Sequence, residues 1–214
     1  LPDPFIDYIY QNHIYGCLAI FNFSYEKAET RLRKELDSGR YRHTMGVMYT
    51  AACLAMVHGC DMEKARIAGL LHDCAKCIPN SKKLSMCAKA GIVVTDFERK
   101  NPFLLHAKLG AYVAEEEYGI KDPDILSAIT WHTTGKPRMT RLEQIIYIAD
   151  YMEPNRYKAP NLEEVRKLAF EDLDLCMYRI LRDTVEYLKE NPKSMDMTTE
   201  AAYKYYKRLM EEEE

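Results

Sequence analysis

Helical periodicity runs through most of this 214-residue sequence, and no segment shows the apolar and polar alternation of a β-strand. Typical start signals precede the apolar helical segments. Asp61 and Thr140 are candidate N-cap residues, and Asp122 precedes a proline at the first helical position. Because the connections between these segments are short, the sequence predicts an all-α fold, a helical bundle in which helix ends can converge on one cavity.

The length of the chain and the lack of an internal linker predict one domain with a short addition at each end. Residues 1–23 are rich in aromatic side chains and are expected to form an arm or a short helix. Residues 24–192 are expected to form the helical domain. Residues 193–214 are expected to form a C-terminal helix with an acidic tail that packs on the same domain.

The composition disfavours several classes of protein. With 30 Lys and Arg against 33 Asp and Glu, and no long basic block, binding of a nucleic-acid polymer is not expected. The longest apolar stretch, near residues 14–23, is too short and too interrupted to span a membrane. Seven scattered cysteines favour a reducing cytoplasm. Cys74 and Cys77 form a C-x-x-C motif, but no second pair completes a zinc knuckle, so we interpret them as two thiols at a helix end.

Histidines and carboxylates recur at the predicted helix ends. An apolar helix ends in His72 and Asp73, about 100° apart around the helix axis, and Asp150 closes another very apolar helix. A carboxylate among apolar neighbours needs a cation. A helix that starts near Tyr41 is predicted to carry His43 in its first turn. The three remaining histidines at predicted helix ends are His43, His106 and His132.

One histidine at a helix end is more often a cap than a ligand, so the prediction of a metal site depends on the six residues together. Nitrogen and oxygen ligands without thiolates suit one or two first-row transition-metal ions. Iron, manganese, cobalt and zinc are all compatible with such a set.

The order of His43, the His72-Asp73 pair and Asp150 resembles the HD superfamily of metal-dependent phosphohydrolases. Five segments look like the YqeK family of that superfamily. The resemblance covers about residues 24–190. The five segments are Arg-His-Thr at 42–44, Leu-Leu-His-Asp-Cys-Ala-Lys at 70–76, Leu-His at 105–106, Trp-His-Thr-Thr-Gly at 131–135, and Ile-Tyr-Ile-Ala-Asp-Tyr-Met-Glu-Pro-Asn-Arg at 146–156.

This resemblance implies an HD-domain helical bundle that hydrolyses diadenosine tetraphosphate symmetrically to two ADP through a metal-activated water. It also implies a dinuclear centre, with iron as the expected metal and manganese, cobalt or zinc as alternatives. By the resemblance, Asp73 is a catalytic residue that bridges the two ions. The ligands of the first ion would be His43, His72, Asp73 and Asp150, and those of the second His106, His132 and Asp73.

Several residues near these ligands are candidates for contact with phosphate. Lys76 lies one turn beyond His72 and is expected to contact phosphate and to take part in catalysis, with a solvent-exposed role as the alternative. Hydroxyl, amide and guanidinium groups can form charge-assisted hydrogen bonds with phosphate, although loop or surface roles are the alternative for each. The further candidates are Thr133, Thr134, Gly135, Arg138 and Arg156.

Two other functions stay open on the sequence. A phosphatase or phosphodiesterase for another nucleotide would use the same ligands, and a non-catalytic nucleotide sensor would use the same fold. The six candidate ligands disfavour the sensor, because a binding module does not need a metal pair that activates water. The expected partner is a small nucleotide, and a homodimer is expected only because it is the commonest oligomer.

Overall fold

The computed structural model describes residues 23–189 and 195–213, and the regular structure within these ranges is helical. The all-α fold is therefore confirmed for this part of the chain. The predicted N-terminal arm lies outside the described residues except for Phe23, and the predicted boundary at 192–193 lies outside them as well.

Eleven α-helices lie within the described ranges, and a 3-10 turn at Pro102–Leu105 leads into the sixth. They are α1 (Tyr25–Glu35), α2 (Ser38–Val57), α3 (Met62–Leu71), α4 (Asn80–Lys89), α5 (Asp96–Lys100), α6 (His106–Tyr118), α7 (Pro123–Trp131), α8 (Arg141–Met152), α9 (Leu162–Glu171), α10 (Leu173–Lys189) and α11 (Met197–Glu213).

Local capping accounts for several helix boundaries. The Asp61 side chain accepts from the N–H of Lys64 at the start of α3, and Thr140 forms a capping box with Glu143 at the start of α8. Helix α6 ends at Gly119, whose φ of 73° is in the left-handed region that favours glycine. These starts and this end agree with the sequence-based predictions.

Helix α2 begins earlier than the sequence pattern predicts. Asp37 accepts a hydrogen bond from the N–H of Arg40 at 2.8 Å, so the helix starts at Ser38 and not near Tyr41. His43 consequently lies in the second turn of α2. The prediction that this histidine is at a helix end is wrong, because the capping carboxylate lies further upstream than the apolar periodicity indicates.

Close packing of α2 on α3 sets the geometry of the centre of the bundle. A Cβ atom on Gly69 would lie 2.9 Å from the Cα atom of Met48, so glycine is required for this approach. Both helices also pack on α8, and α3 packs on α7. Helix α11 packs on α10 and buries Tyr206 in the same core. Each helix within the described ranges is too short or too polar to cross a lipid bilayer.

Candidate metal centre

Five helices bring the six predicted metal ligands to one place in the bundle. His43 comes from α2, His72 and Asp73 follow α3 directly, and Asp150 lies in the last turn of α8. The first residue of α6 and the residue after α7 complete the cluster, and these are His106 and His132. All four histidines and Asp73 are buried, whereas the side chain of Asp150 is 22% exposed.

The Nδ1 atom of each clustered histidine faces an oxygen atom. His43 Nδ1 lies 3.1 Å from Glu153 Oε1. The other three Nδ1 atoms lie 2.6 or 2.7 Å from the carbonyl oxygen three residues earlier, in the pairs His72–Gly69, His106–Phe103 and His132–Ile129. Because these oxygen atoms accept, each Nδ1 carries a hydrogen, and the lone pair is left on Nε2.

The Nε2 atoms then face each other in two pairs. His43 Nε2 lies 3.3 Å from His72 Nε2, and His106 Nε2 lies 3.2 Å from His132 Nε2. Two lone pairs repel each other at this distance unless a cation lies between them. Two ligands that are each about 2.1 Å from one metal ion are about 3.0–3.4 Å apart. Both pairs therefore have the spacing of ligands that share an ion.

The Asp73 carboxylate lies between the two histidine pairs. Its Oδ2 atom is 3.5 Å from His72 Nε2, and its Oδ1 atom is 3.2 Å from His106 Nε2 and 3.6 Å from His132 Nε2. The buried Oδ1 atom has no hydrogen-bond partner among the described residues. A buried carboxylate oxygen without a hydrogen bond is costly, and a metal ion between this oxygen and the facing nitrogens would compensate for it. The residues present thus fit a metal group.

The protonation states of the cluster also favour a cation. Burial lowers the pKa of His106 to about 4, so this imidazole is neutral at neutral pH. Burial alone would raise the pKa of Asp73, but the neighbouring His72, His106 and His132 hold it well below its usual range. Burial would also raise the pKa of Asp150, but this pKa is lowered, chiefly by the contact with His43. Both carboxylates therefore stay ionised at neutral pH, which is the form that binds a metal ion.

Two overlapping groups of ligand atoms are compact enough to hold an ion. In each group the atoms lie within 4.8 Å of one another, and His72 belongs to both. His106 lies beside the second group, since its Nε2 atom is close to Asp73 and His132. The chain therefore carries His and Asp groups suited to a divalent metal. The two groups are His43, His72 and Asp150, and His72, Asp73 and His132.

Two residues that hold the cluster in position received no role in the sequence analysis. Arg40 Nη1 lies 2.7 Å from Asp73 Oδ2, and the buried Glu153 accepts from His43 Nδ1. Arg40 lies three residues before His43, and Glu153 lies three residues after Asp150. Arg40 shares a face of α2 with His43, but this spacing does not indicate its contact with Asp73. Glu153 follows the end of α8, so helical spacing does not apply to it.

Three of the candidates for phosphate contact lie at the cluster. Lys76 Nζ is 3.0 Å from His106 Nε2 and 3.7 Å from Asp73 Oδ1. Thr133 Oγ1 is 3.1 Å from the same His106 atom. Arg156 donates from Nη2 to Asp150 Oδ1 at 2.9 Å. Each side chain could therefore reach a ligand bound beside the cluster.

The other three candidates lie in the loop before α8. Two of them form hydrogen bonds there, and the third is exposed to solvent. Thr134 Oγ1 donates to the carbonyl oxygen of Gly135, and the Gly135 N–H donates to Trp131 O at 2.9 Å. A phosphate would have to compete with this second bond for the amide. Arg138 has an exposed side chain and a positive φ of 55°.

A cleft of about 400 Å³ opens beside the cluster and reaches His43. Three cationic side chains line it, together with the carboxylates of Asp37 and Glu153. Cationic side chains outnumber carboxylates in this lining, which favours an anion. The three cations are Arg40, Arg156 and Lys158.

A family model described as HD domain matches residues 40–155, which is more than half of the chain and includes all six clustered side chains. This chain belongs to the HD domain family. The predicted HD-domain bundle is thereby confirmed. The HD structure of a "predicted HD superfamily hydrolase involved in NAD metabolism" from Clostridium acetobutylicum superposes with a TM-score of 0.84 at 41% sequence identity, and it covers 87% of this chain and 98% of that one.

Curated relatives of this HD protein share a common description. A symmetrical bis(5'-nucleosyl)-tetraphosphatase from Bacillus subtilis (strain 168) is 40% identical over 180 residues, which are 84% of this chain and 96% of the relative. The protein of the same description from Staphylococcus aureus (strain NCTC 8325 / PS 47) is 34% identical, over 85% of this chain and 93% of the relative. The similarity thus extends beyond the HD segment on both sides.

Proposed function

We propose that this chain is a symmetrical bis(5'-nucleosyl)-tetraphosphatase, which hydrolyses diadenosine tetraphosphate at its middle to give two ADP. The chemistry is supported by two pairs of facing Nε2 atoms, which are 3.3 Å apart in one pair and 3.2 Å apart in the other. One carboxylate oxygen of Asp73 faces each histidine pair. Relatives with this activity in their descriptions support the choice of substrate, because they match more than 80% of the chain.

We propose two ions at the cluster, with Asp73 as the bridging and catalytic carboxylate. Iron is the proposed metal, and manganese, cobalt and zinc are the alternatives, since all accept imidazole and carboxylate ligands. Ions bound there would supply Lewis acidity, which offsets charge on phosphoryl oxygens and makes water easier to ionise. The first ion would be held by His43, His72, Asp73 and Asp150, and the second by His106, His132 and Asp73.

The protein's own side chains are proposed to bind and orient the polyphosphate. Lys76 Nζ and Thr133 Oγ1 both lie within 3.1 Å of His106 Nε2, so they can donate to phosphoryl oxygens on that side. Arg40 and Arg156 contact Asp73 and Asp150 and line the cleft on the His43 side. A tetraphosphate would therefore meet donors on both sides of the ligand cluster, and charge-assisted hydrogen bonds would hold it across the cluster.

Metal analysis combined with product analysis tests this proposal. We expect anaerobically purified protein to contain about two transition-metal ions per chain and to convert diadenosine tetraphosphate to ADP as the only nucleotide product. AMP plus ATP would contradict symmetrical cleavage. Bound metal without turnover would favour a different nucleotide substrate, and protein that stays metal-free after reconstitution would contradict the metal centre.

We also propose a cytoplasmic enzyme that forms a homodimer. The six cysteines within the described ranges are free thiols, which supports a reducing compartment. Light scattering coupled to gel filtration tests the dimer, and a monomeric mass at micromolar concentration would contradict it.

A further inference from the structure

The loop between α8 and α9, residues 153–161, is held firmly against the bundle. Arg166 on α9 donates to three carbonyl oxygens at one end of this loop, those of Met152, Glu153 and Arg156, at 3.0–3.1 Å. A guanidinium presents its donors in a rigid planar fork, so three such bonds restrict the backbone strongly. The first part of the loop therefore has a well-defined backbone conformation.

The same loop is bonded to two of the clustered side chains. Glu153 Oε1 accepts from His43 Nδ1, and Arg156 donates to both the side chain and the backbone carbonyl of Asp150. These bonds join the loop to the cluster on both sides of residue 154. The backbone that leads into Tyr157 and Lys158 is therefore anchored beside the ligand atoms.

Tyr157 places an aromatic ring at the rim of the cleft that reaches His43. The residue is 80% exposed, and its neighbour Lys158 lies with Nζ 5.5 Å from the ring centre. A volume of about 400 Å³ falls within the range of small-ligand sites. The cleft is thus lined by an exposed aromatic ring, by cationic side chains and by the buried candidate ligand His43.

We propose that Tyr157 stacks on the nucleobase of a nucleoside diphosphate unit that occupies this cleft, with Lys158 and Arg40 beside its phosphates. Tyr157 is exposed whereas Arg40 contacts Asp73, so a base on Tyr157 would lie toward solvent and the phosphates toward the ligand cluster. Every base has a π-face, so Tyr157 recognises the presence of a base and does not distinguish strongly between bases.

This inference rests on the proposed function only for the identity of the full substrate. A nucleoside diphosphate is the product of the proposed reaction, and its binding can be measured whether or not turnover occurs. The experiment is therefore calorimetric titration of the metal-loaded protein with ADP and, separately, with pyrophosphate, which has the phosphates but no base.

We expect Tyr157→Ala to weaken ADP binding about 5- to 100-fold, which is the effect usual for loss of one base-stacking contact. Pyrophosphate binding is expected to stay within twofold of wild type, and Tyr157→Phe, which keeps the ring, is expected to bind ADP as wild type does. The matched control is Tyr187→Ala, because Tyr187 is also a highly exposed tyrosine, 71% exposed, on α10. The control should bind both ligands normally.

Three results would overturn the inference. They are no ADP binding by wild-type protein, unchanged ADP affinity in Tyr157→Ala, and an equal loss of ADP and pyrophosphate affinity. Failure of the proposed function gives a different pattern, since diadenosine tetraphosphate would then not be hydrolysed while ADP still bound in a Tyr157-dependent way. That pattern would support the base-binding cleft and require another nucleotide substrate.

Discussion

Glu153→Gln is the sharpest test of how the protein sets the chemistry of the cluster. Glu153 is only 1% exposed, and both of its carboxylate oxygens are used. Oε1 accepts from His43 Nδ1 at 3.1 Å, and Oε2 accepts from the backbone N–H and the side-chain amide of Asn155 at 2.7 and 2.9 Å. The substitution keeps the shape of the side chain but replaces one acceptor oxygen by an NH2 donor.

Either orientation of the new amide leaves a mismatch. If its oxygen faces His43, its NH2 group meets the two donors of Asn155. If it is reversed, the NH2 group favours the other tautomer of His43, in which Nε2 carries the hydrogen and cannot bind a metal. A buried unsatisfied polar group costs about 1–3 kcal/mol. Loss of such a partner of a metal-binding histidine lowers metal affinity or activity about 10- to 100-fold, which agrees with that range.

The assay is competition for metal with a chromophoric chelator, with the melting temperature recorded by circular dichroism on the same samples. The matched control is Glu143→Gln, because Glu143 is also 1% exposed but accepts from Thr140 N at 2.7 Å and pairs with Lys136. We expect both variants to lose stability and only Glu153→Gln to lose metal affinity. Wild-type metal affinity in Glu153→Gln, or an equal loss in Glu143→Gln, would refute the reasoning.

Three further predictions concern the cluster. Asp73→Ala removes the oxygens that face both histidine pairs, so we expect loss of metal and hydrolysis with helical circular dichroism retained; turnover with full metal content would contradict this. Lys76→Ala should lower kcat about 10- to 100-fold, because the variant loses one charge-assisted hydrogen bond to phosphate. Its metal content should not change. Unaltered kinetics would mean that Lys76 only faces solvent. Because burial lowers the pKa of His106 from 6.5 to about 4, the unfolded chain binds more protons than the native protein between these values. The free energy of unfolding of metal-free protein should therefore fall as pH falls from 6.5 to 4, by on the order of 3 kcal/mol; urea denaturation at several pH values measures it, and an equal slope in His106→Gln would contradict the assignment.

The sequence by itself determined the helical class, several helix boundaries and the chemical type of the site. The caps at Asp61, Asp122 and Thr140 bond to N–H groups two or three residues away, so the pattern of neighbouring residues is sufficient to predict them. The His72-Asp73 pair after an apolar helix indicated a metal site for a similar reason. A polar pair at that point has no local role in packing.

Only the tertiary structure decided which atoms meet. Glu153 and His43 are 110 residues apart, and Arg40 and Asp73 are 33 apart, so no local pattern relates them. Their contacts depend on how closely α2 approaches its neighbours, which is set by packing such as that of Gly69 on Met48. Packing between helices depends on the shapes of both surfaces at once. For that reason the sequence could indicate the candidate ligands as a set, whereas the residues that orient them became evident only in the folded bundle.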